Sequence, residues 1–554
     1  MDIATQIGRY FAVAADAAAP GEAAPVTTSG NTITPLIDGR RYFRVIRDLL
    51  EGLGTGPTVP NQFFYVTGWW LHLTTGPGAL VPTDAETEPI FPGGGPTSPT
   101  KRPGDDQPAF LLEDDRPGPY PLMARLLAQK AQAGVDVRVM GWVNPLILFE
   151  SVASHVETYW QMVVGTLFSI QDLRARTVGA GTTKPLARRV CALTVGHALG
   201  AMHLKMVVAH DGTKPWAFIG GIDFAASRVA GELHPGTELW HDMAVRVDGP
   251  AVQTFYDHYR NLWNQQLVEP ARSQQFKVNT STVNAVEPGT LPVPARALPA
   301  AGMGKHRVQI ARTLPQFNFV NKIPPSGATP LPFAPNGAFE VTVAWRRAIA
   351  NATDYIYIED QAFWSHDVMD WINARVKAHP GVKVILLGGA QDPADPPRDS
   401  YLVEAINGHL LAGLSDAEQT RIGFFFRKGG VVVHAKVTII DDHWLFVGSA
   451  NCIRRSLYTD GELSVGCLDE DDVLAKEVRV ALWGGHFGKA PADRASLSDL
   501  SRALGVWHLL WGANRPYPLP SALIERRALP LGAPPSPFDA NDYALQDADS
   551  RHVW

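Results

Sequence analysis

The segment His434-Ala435-Lys436-Val437-Thr438-Ile439-Ile440-Asp441, with Phe446-Val447-Gly448-Ser449-Ala450-Asn451 behind it, gathers residue types suited to phosphate chemistry. On a strand, where side chains alternate, His434 and Lys436 point to one face. An imidazole beside a fixed ammonium group suits a phosphoryl centre, with the ring as nucleophile or acid and the lysine as charge clamp. Gly448 and Ala450 permit close approach. Ser449 and Asn451 offer a hydroxyl and an amide to phosphoryl oxygens.

A weaker version stands earlier, at His203-Leu204-Lys205 with Gly220-Gly221-Ile222-Asp223 behind it. Two such sets facing each other would surround one phosphorus with two histidines and two lysines. Such a site has no inherent need for a metal, because the lysines offset phosphate charge and stabilise the transition state. One histidine attacks phosphorus and the other donates, then recovers, a proton. A histidine in this work needs its tautomer fixed, usually by a carboxylate on the other ring nitrogen. Asp242 and Glu462, each just ahead of the last strand of its half, are the candidates.

The elements around these residues recur in one order twice. A helical segment at Asp38–Leu53 leads to the strand Phe63–Val66, and Val341–Ala352 leads to Tyr355–Ile358. The helix Leu122–Ala133 precedes the strand Val135–Trp142, as Val368–Ala378 precedes Val382–Gly389. Longer helical stretches follow at Val152–Arg174 and Asp399–Leu414. The His-x-Lys strands come next, then Phe218–Phe224 and Phe446–Cys452. The halves close with Met243–Val247 and Leu463–Cys467, and a helix ending near Trp263 or Trp483. Alternating strands and helices argue a mixed α/β sheet layered by helices, made twice.

The expected organisation is an N-terminal lobe over 1–276, a Pro-, Thr- and Ala-rich linker over 277–304, a C-terminal lobe over 305–490 and an extension over 491–554. Pro/Gly-rich insertions at Leu80–Pro119 and Asn321–Asn336 read as surface loops. Trp69 and Trp70 suit either a lipid-chain groove or core packing. Arg454 and Arg455 could grip a phosphate or equally open a solvated helix.

Over 554 residues, 45% hydrophobic and 19% charged side chains are the balance of a globular protein. With 49 Lys and Arg against 55 Asp and Glu, the formal charge of −6 argues against a general nucleic-acid coat. It leaves a locally positive cleft open. Three scattered cysteines supply neither a disulfide framework nor a zinc site. No positively charged n-region precedes the short apolar run Tyr10–Ala15, and no run reaches the roughly 18 apolar residues of a membrane span. The expectation is a soluble protein, cytoplasmic or exported without an N-terminal signal.

His434-x-Lys436-x4-Asp441, followed by Gly448-Ser449-x-Asn451, resembles the HKD signature of the phospholipase D superfamily. Gly220–Asp223, Trp240–Val252 and Tyr357-Ile358-Glu359-Asp360-Gln361 are similar to segments of phospholipases D proper, and the likeness runs roughly from Asp38 to Phe487. The resemblance implies two pseudo-symmetric α-β-α-β-α sandwich lobes with one active site between them and no cofactor or metal. It implies hydrolysis of the head-group phosphodiester of a phospholipid such as phosphatidylcholine at a membrane surface by a monomer, with transphosphatidylation to alcohols. His203 would be the nucleophile and His434 the acid. Lys205, Lys436, Asp242 and Glu462 would complete the centre, with Asp211, Asp223, Asp441, Ser449 and Asn451 in support.

One position departs from the pattern. The first copy has His210 where the second has Asp441, and Asp211 one residue later. A bulge in the strand would restore the Asp; otherwise the contact is lost. Three other readings compete. They are a phosphodiesterase or nuclease on a soluble substrate, a phosphatidyltransferase such as cardiolipin synthase, and an inactive scaffold binding anionic lipid.

Overall fold

The computed structural model describes residues 1–73, 112, 116, 121–143, 157–197, 200–231, 234, 240–278, 281–299, 304–318, 329–388, 405–427, 431–511 and 524–526. The first half contains β1 (Thr27–Ile37), α1 (Gly39–Gly52), β2 (Phe63–Gly68), α2 (Met123–Gln132), β3 (Asp136–Trp142), α3 (Glu157–Ala175), β4 (Val190–Leu193), β5 (Met206–His210), β6 (Pro215–Gly220), β7 (Met243–Asp248) and α4 (Val252–Gln266). The second contains β8 (His306–Leu314), α5 (Glu340–Ala350), β9 (Tyr355–Asp360), α6 (His366–Ala378), β10 (Lys383–Gly388), β11 (Ile422–Arg427), β12 (Lys436–Ile440), β13 (Trp444–Gly448), β14 (Glu462–Asp469) and α7 (Leu474–His486).

The strand orders match. The first half runs β4-β3-β2-β5-β6-β7-β1 and the second β11-β10-β9-β12-β13-β14-β8. In each, the first three are parallel and the rest antiparallel. β1 and β8 pair antiparallel, with Thr27 opposite Gln309 and Thr28 opposite Val308. The halves are therefore one continuous sheet of 16 strands rather than two separate ones.

Tyr355-Ile356-Tyr357-Ile358 shows why apolar runs without polar alternation make central strands: both faces are covered. Ile356 and Ile358 pack in the cluster that contains Trp345 and Met369 from α5 and α6. Tyr355 and Tyr357 turn the other way, their rings 5.7 and 5.5 Å from Trp483 of α7. The first half repeats this, with Phe63 5.3 Å from Tyr256 and Tyr65 5.1 Å from Tyr259, both on α4. Each half is a helix–sheet–helix sandwich.

Some expectations shift. The supposed linker carries a hairpin, Gln275–Val278 with Ser281–Asn284. Val283, Ala285, Val286 and Val293 from the same stretch join the core, because Trp263 Nε1 and Arg138 both donate to the Leu291 carbonyl. The extension folds onto the second half: α8 (Leu500–Trp511) buries Trp507 against Phe425, 4.6 Å away, and Ile524–Arg526 pairs with β11. Of the loop Leu80–Pro119 only Leu112 and Arg116 are described. The first parts of the stretches Val152–Arg174 and Asp399–Leu414, and 319–328 of the second loop, lie outside the described residues; within the latter stretch a single turn, Ile406–Leu410, is seen. No helix among the described residues is long and apolar enough to cross a membrane.

Candidate active site

The two His-x-Lys motifs do not lie inside strands. His203 and Lys205 precede β5, and Lys436 opens β12 with His434 two residues ahead of it. The reason is a second pairing that captures the backbone before each main strand begins. Met202 bridges Gly461 in parallel, and His203 N–H donates to the Gly461 carbonyl at 2.9 Å. Val432–Val433 pairs in parallel with Trp240–His241, and His434 N–H donates to the His241 carbonyl at 2.7 Å. In both cases the next residues are the histidine of one half and the carboxylate of the other.

The carboxylates are thereby exchanged across the seam. His434 Nδ1 lies 2.7 Å from Asp242 Oδ2 of the first half. His203 Nδ1 lies 3.2 Å from Glu462 Oε1 of the second half and 2.9 Å from the Ser449 carbonyl oxygen. Close backbone approach makes this possible. A Cβ on Gly221 would sit 2.2 Å from Asp242 Oδ1, and one on Gly461 1.9 Å from Met202 Sδ.

The side chains form one buried cluster. Lys205 Nζ donates to the His203 carbonyl at 3.0 Å and lies 3.7 Å from Asp223 Oδ2; Lys436 Nζ donates to the His434 carbonyl. Burial drives both imidazoles well below the ordinary histidine range, and both lysines add to the shift. Burial brings Lys205 down to about 8, with Lys436 contributing, and depresses Lys436. It pushes Asp242 and Glu462 up to about 7. Charges of one half thus act on groups of the other, as a shared centre requires.

Ser449 Oγ and Ser456 Oγ donate to Glu462 at 2.5 and 2.6 Å, fixing the partner of His203. Asp223 Oδ1 accepts from Trp70 N–H at 2.9 Å. Asn451 is buried with no hydrogen-bond partner for Oδ1 among the described residues. Trp69 is neither a distant groove nor plain core: its ring is edge-on to His203 at 5.1 Å and 5.0 Å from Lys205 Nζ.

Asp441 and Asp211 are not at the centre. Both lie at the far ends of their strands. Asp441 accepts from Tyr10 OH, Thr353 N–H, Thr353 Oγ1, Asp354 N–H and Tyr355 N–H, at 2.6–2.9 Å, clamping the turn into β9. Asp211 Oδ1 only closes its own turn, accepting from Thr213 N–H, Thr213 Oγ1 and Lys214 N–H. The pairing of β5 with β2 and β6 runs without a shift from Met206 to His210, so no bulge restores the Asp. The first copy has lost that clamp. Arg454 pairs with Asp367 at 3.1 Å and Arg455 with Asp460 at 2.8 Å, so both brace the framework.

Three arrangements emerge only in space. Arg228 lies stacked 3.4 Å from the Trp240 ring centre. Trp240 is edge-on to His434 at 5.4 Å. A buried chain also crosses the seam: His241 reaches Asp38 Oδ1 at 3.0 Å through Nδ1 and Glu359 Oε2 at 3.1 Å through Nε2, and His486 Nε2 lies 2.7 Å from Glu359 Oε1. Asp38, His234 and His241 bring ligand-type atoms within 4.8 Å of one another, as do His241, Glu359 and His486, so either trio could hold a metal ion. These bonds hold Glu359 fully buried, whereas Gln361 is exposed. Gln361 borders a small cleft of about 30 Å³ lined by Asp360, Phe363, Trp364, Phe424 and Phe426. Asp360 lies opposite Lys436 in the sheet.

The family described as "Cardiolipin synthase, PLD-like domain" matches residues 345–482, the stretch that carries His434, Lys436 and Glu462. Phospholipase D alpha 4 of Arabidopsis thaliana is 22% identical over 477 residues, covering 68% of this chain. Phospholipase D delta of the same plant is 31% identical over 87 residues, 14% of this chain and 10% of the relative. The chain belongs to the phospholipase D superfamily. It spans 59% of the length of the alpha 4 relative. Among solved structures, phosphatidylserine synthase of Haemophilus influenzae superposes with a TM-score of 0.43 at 12% identity, covering 81% of this chain and 85% of that one. Of His434-x-Lys436-x4-Asp441, the His and Lys face the buried cluster while Asp441 is a fold residue.

Proposed function

We propose that the protein is a phosphodiesterase of the phospholipase D type, cleaving the head-group phosphodiester of glycerophospholipids through a phosphohistidine. The observation that carries the reading is the set of contacts at the two Nδ1 atoms. A carbonyl oxygen can only accept, so Ser449 fixes the His203 proton on Nδ1 and leaves a lone pair on Nε2. At Nδ1, His434 meets the Asp242 carboxylate, which stabilises its imidazolium form.

In the proposed first step His203 Nε2 attacks phosphorus, the bond from phosphorus to the head-group oxygen breaks, and His434 gives its Nε2 proton to the leaving alkoxide. In the second, His434 takes a proton from water, the hydroxide attacks phosphorus, and the P–N bond to His203 breaks. Lys205 and Lys436 hold the phosphoryl oxygens as negative charge builds.

A second reading shares the intermediate: an alcohol replaces water, giving phosphatidyl transfer. The matched family description favours keeping it. Incubation with phosphatidylcholine vesicles and ethanol tests both. Choline release with phosphatidic acid and phosphatidylethanol supports the reading. Turnover of nucleic acid or soluble diesters without lipid turnover would overturn it in favour of a soluble-substrate phosphodiesterase. No turnover of any diester would leave the lipid-binding scaffold.

A further inference from the structure

The two halves place one carboxylate differently. Three residues after Gly220 the first half has Asp223, and three residues after Gly448 the second has Asn451. The strands that neighbour the lysines differ in the opposite sense: β2 ends in Gly68 and β9 in Asp360. Asp223 Oδ1 accepts from Trp70 N–H at 2.9 Å, so in the first half the loop after β6 ties down the chain leaving β2. In the second half the tie runs the other way. Asp360 Oδ2 accepts from Cys452 N–H at 2.9 Å, and Asp360 Oδ1 accepts from Ala362 N–H at 2.8 Å. The Cys452 carbonyl in turn accepts from Trp364 N–H at 2.8 Å and Ser365 N–H at 2.7 Å. Both backbone polar groups of Cys452 are thus held by the chain leaving β9.

We propose that Asp360 is a positioning residue for Asn451, holding the loop after β13 so that the Asn451 amide meets the phosphate beside Lys436. Its role rests on the two-histidine phosphodiesterase reading and goes beyond it by naming what fixes one of the phosphate-facing groups. Asp360 lies directly opposite Lys436 in the antiparallel pair of β9 and β12, so loop and lysine are referred to one strand end. The backbone of Asn451 is pinned on both sides. Its N–H donates to Ser456 Oγ at 3.2 Å, and the next residue is the doubly held Cys452. Its side chain is buried, with no hydrogen-bond partner for Oδ1 among the described residues.

The chemistry explains why the carboxylate left the loop. An ionised carboxylate only accepts hydrogen bonds and repels a phosphate, whereas an amide donates through Nδ2. In the first half the charge of Asp223 is offset by Lys205 at 3.7 Å and Arg228 at 3.9 Å. In the second half the clamping charge sits on β9, bonded to backbone amides, and a neutral donor takes its place on the loop. Ser456 also donates to Glu462, so the same loop is tied to the partner of His203.

The test is a double-mutant cycle on binding of inorganic phosphate, which needs no turnover. Wild type, Asp360→Ala, Asn451→Ala and the double variant are titrated with phosphate and followed by ³¹P NMR, with circular dichroism to establish folding. Each single variant should bind about tenfold more weakly. The double variant should bind no more weakly than the poorer single one, because the two residues act as a unit. A loss of about a hundredfold in the double variant, as for independent sites, overturns the proposal. So does undiminished affinity in folded Asp360→Ala, the mark of a residue that serves stability alone, and so does wild-type protein that binds no phosphate. Should Asp360→Ala fail to fold, Asp360→Asn keeps the volume and one acceptor oxygen and carries the same cycle with a smaller loss. Wild-type protein that binds phosphate but turns over no diester would overturn the phosphodiesterase reading and leave the result of the cycle standing.

Discussion

Asp242→Asn keeps the shape of His434's partner and removes its charge. The contact is a single one of 2.7 Å between buried groups, and no other hydrogen bond holds the His434 ring at Nδ1 among the described residues. At an effective dielectric constant of about 20, unit charges about 4 Å apart interact by about 4 kcal/mol. At about 1.4 kcal/mol per decade this corresponds to roughly a thousandfold in rate. The amide can also donate to Nδ1, which would hold the ring in the tautomer unable to take a proton from water. The expected outcome is kcat for head-group release lower by about a thousandfold, with KM changed by less than about threefold because the lysines still hold the phosphate. The assay is choline release under saturating phosphatidylcholine, with circular dichroism to establish folding. A folded variant that keeps kcat within about tenfold of wild type would refute the reasoning.

Glu462→Gln should cost less, about tenfold to a hundredfold in kcat, since the Ser449 carbonyl still fixes the His203 tautomer; a loss equal to that of Asp242→Asn would refute this asymmetry. Burial raises Asp242 and Glu462 to about 7, and their working form is the carboxylate. Turnover should therefore fall as pH drops through about 7, and a profile flat from pH 5 to 8 would contradict it. Asp441→Ala strands five donors and should cost about 3–5 kcal/mol of stability by chemical denaturation while the folded fraction keeps its kcat; Asp211→Ala should change both little. Glu359→Gln leaves the buried His241 with one carboxylate and should cost several kcal/mol. Burial opposes the charge on His241, yet Asp38 and Glu359 raise its pKa to about 10, so this stabilisation is complete below about 6.5 and fades as pH rises through 10. A variant as stable as wild type at pH 6 would refute the link.

The repeat was legible because each half spells its central strands as uninterrupted apolar runs and its helices as amphipathic ones, and neither signal needs knowledge of partners. The His, Lys, Asp242 and Glu462 positions were legible for the same reason: they sit at fixed offsets from those strands. What linear text hides is exchange. Nothing local to Asp242 says that its imidazole lies 192 residues away rather than in its own half. β1 and β8 were missed because Gly30 and Pro35 interrupt one and Arg307 and Arg312 the other, although Val308 and Ile310 alternate with polar neighbours. Asp441 entered as a supporting residue through the resemblance alone, whereas its backbone turn sends it to the amides of Thr353–Tyr355. Arg228 gave no signal, since Trp240 and Trp70 meet around it only in space.

The central claim is that His203 and His434 flank one phosphorus atom and divide attack from proton transfer. Rapid quenching during turnover of ³²P-labelled phospholipid under alkaline conditions, then proteolysis and mapping, tests it most directly. The account predicts radiolabel on His203, more of it in His434→Ala, and none in His203→Ala. Label on His434, or turnover with no phosphorylated histidine, would contradict it.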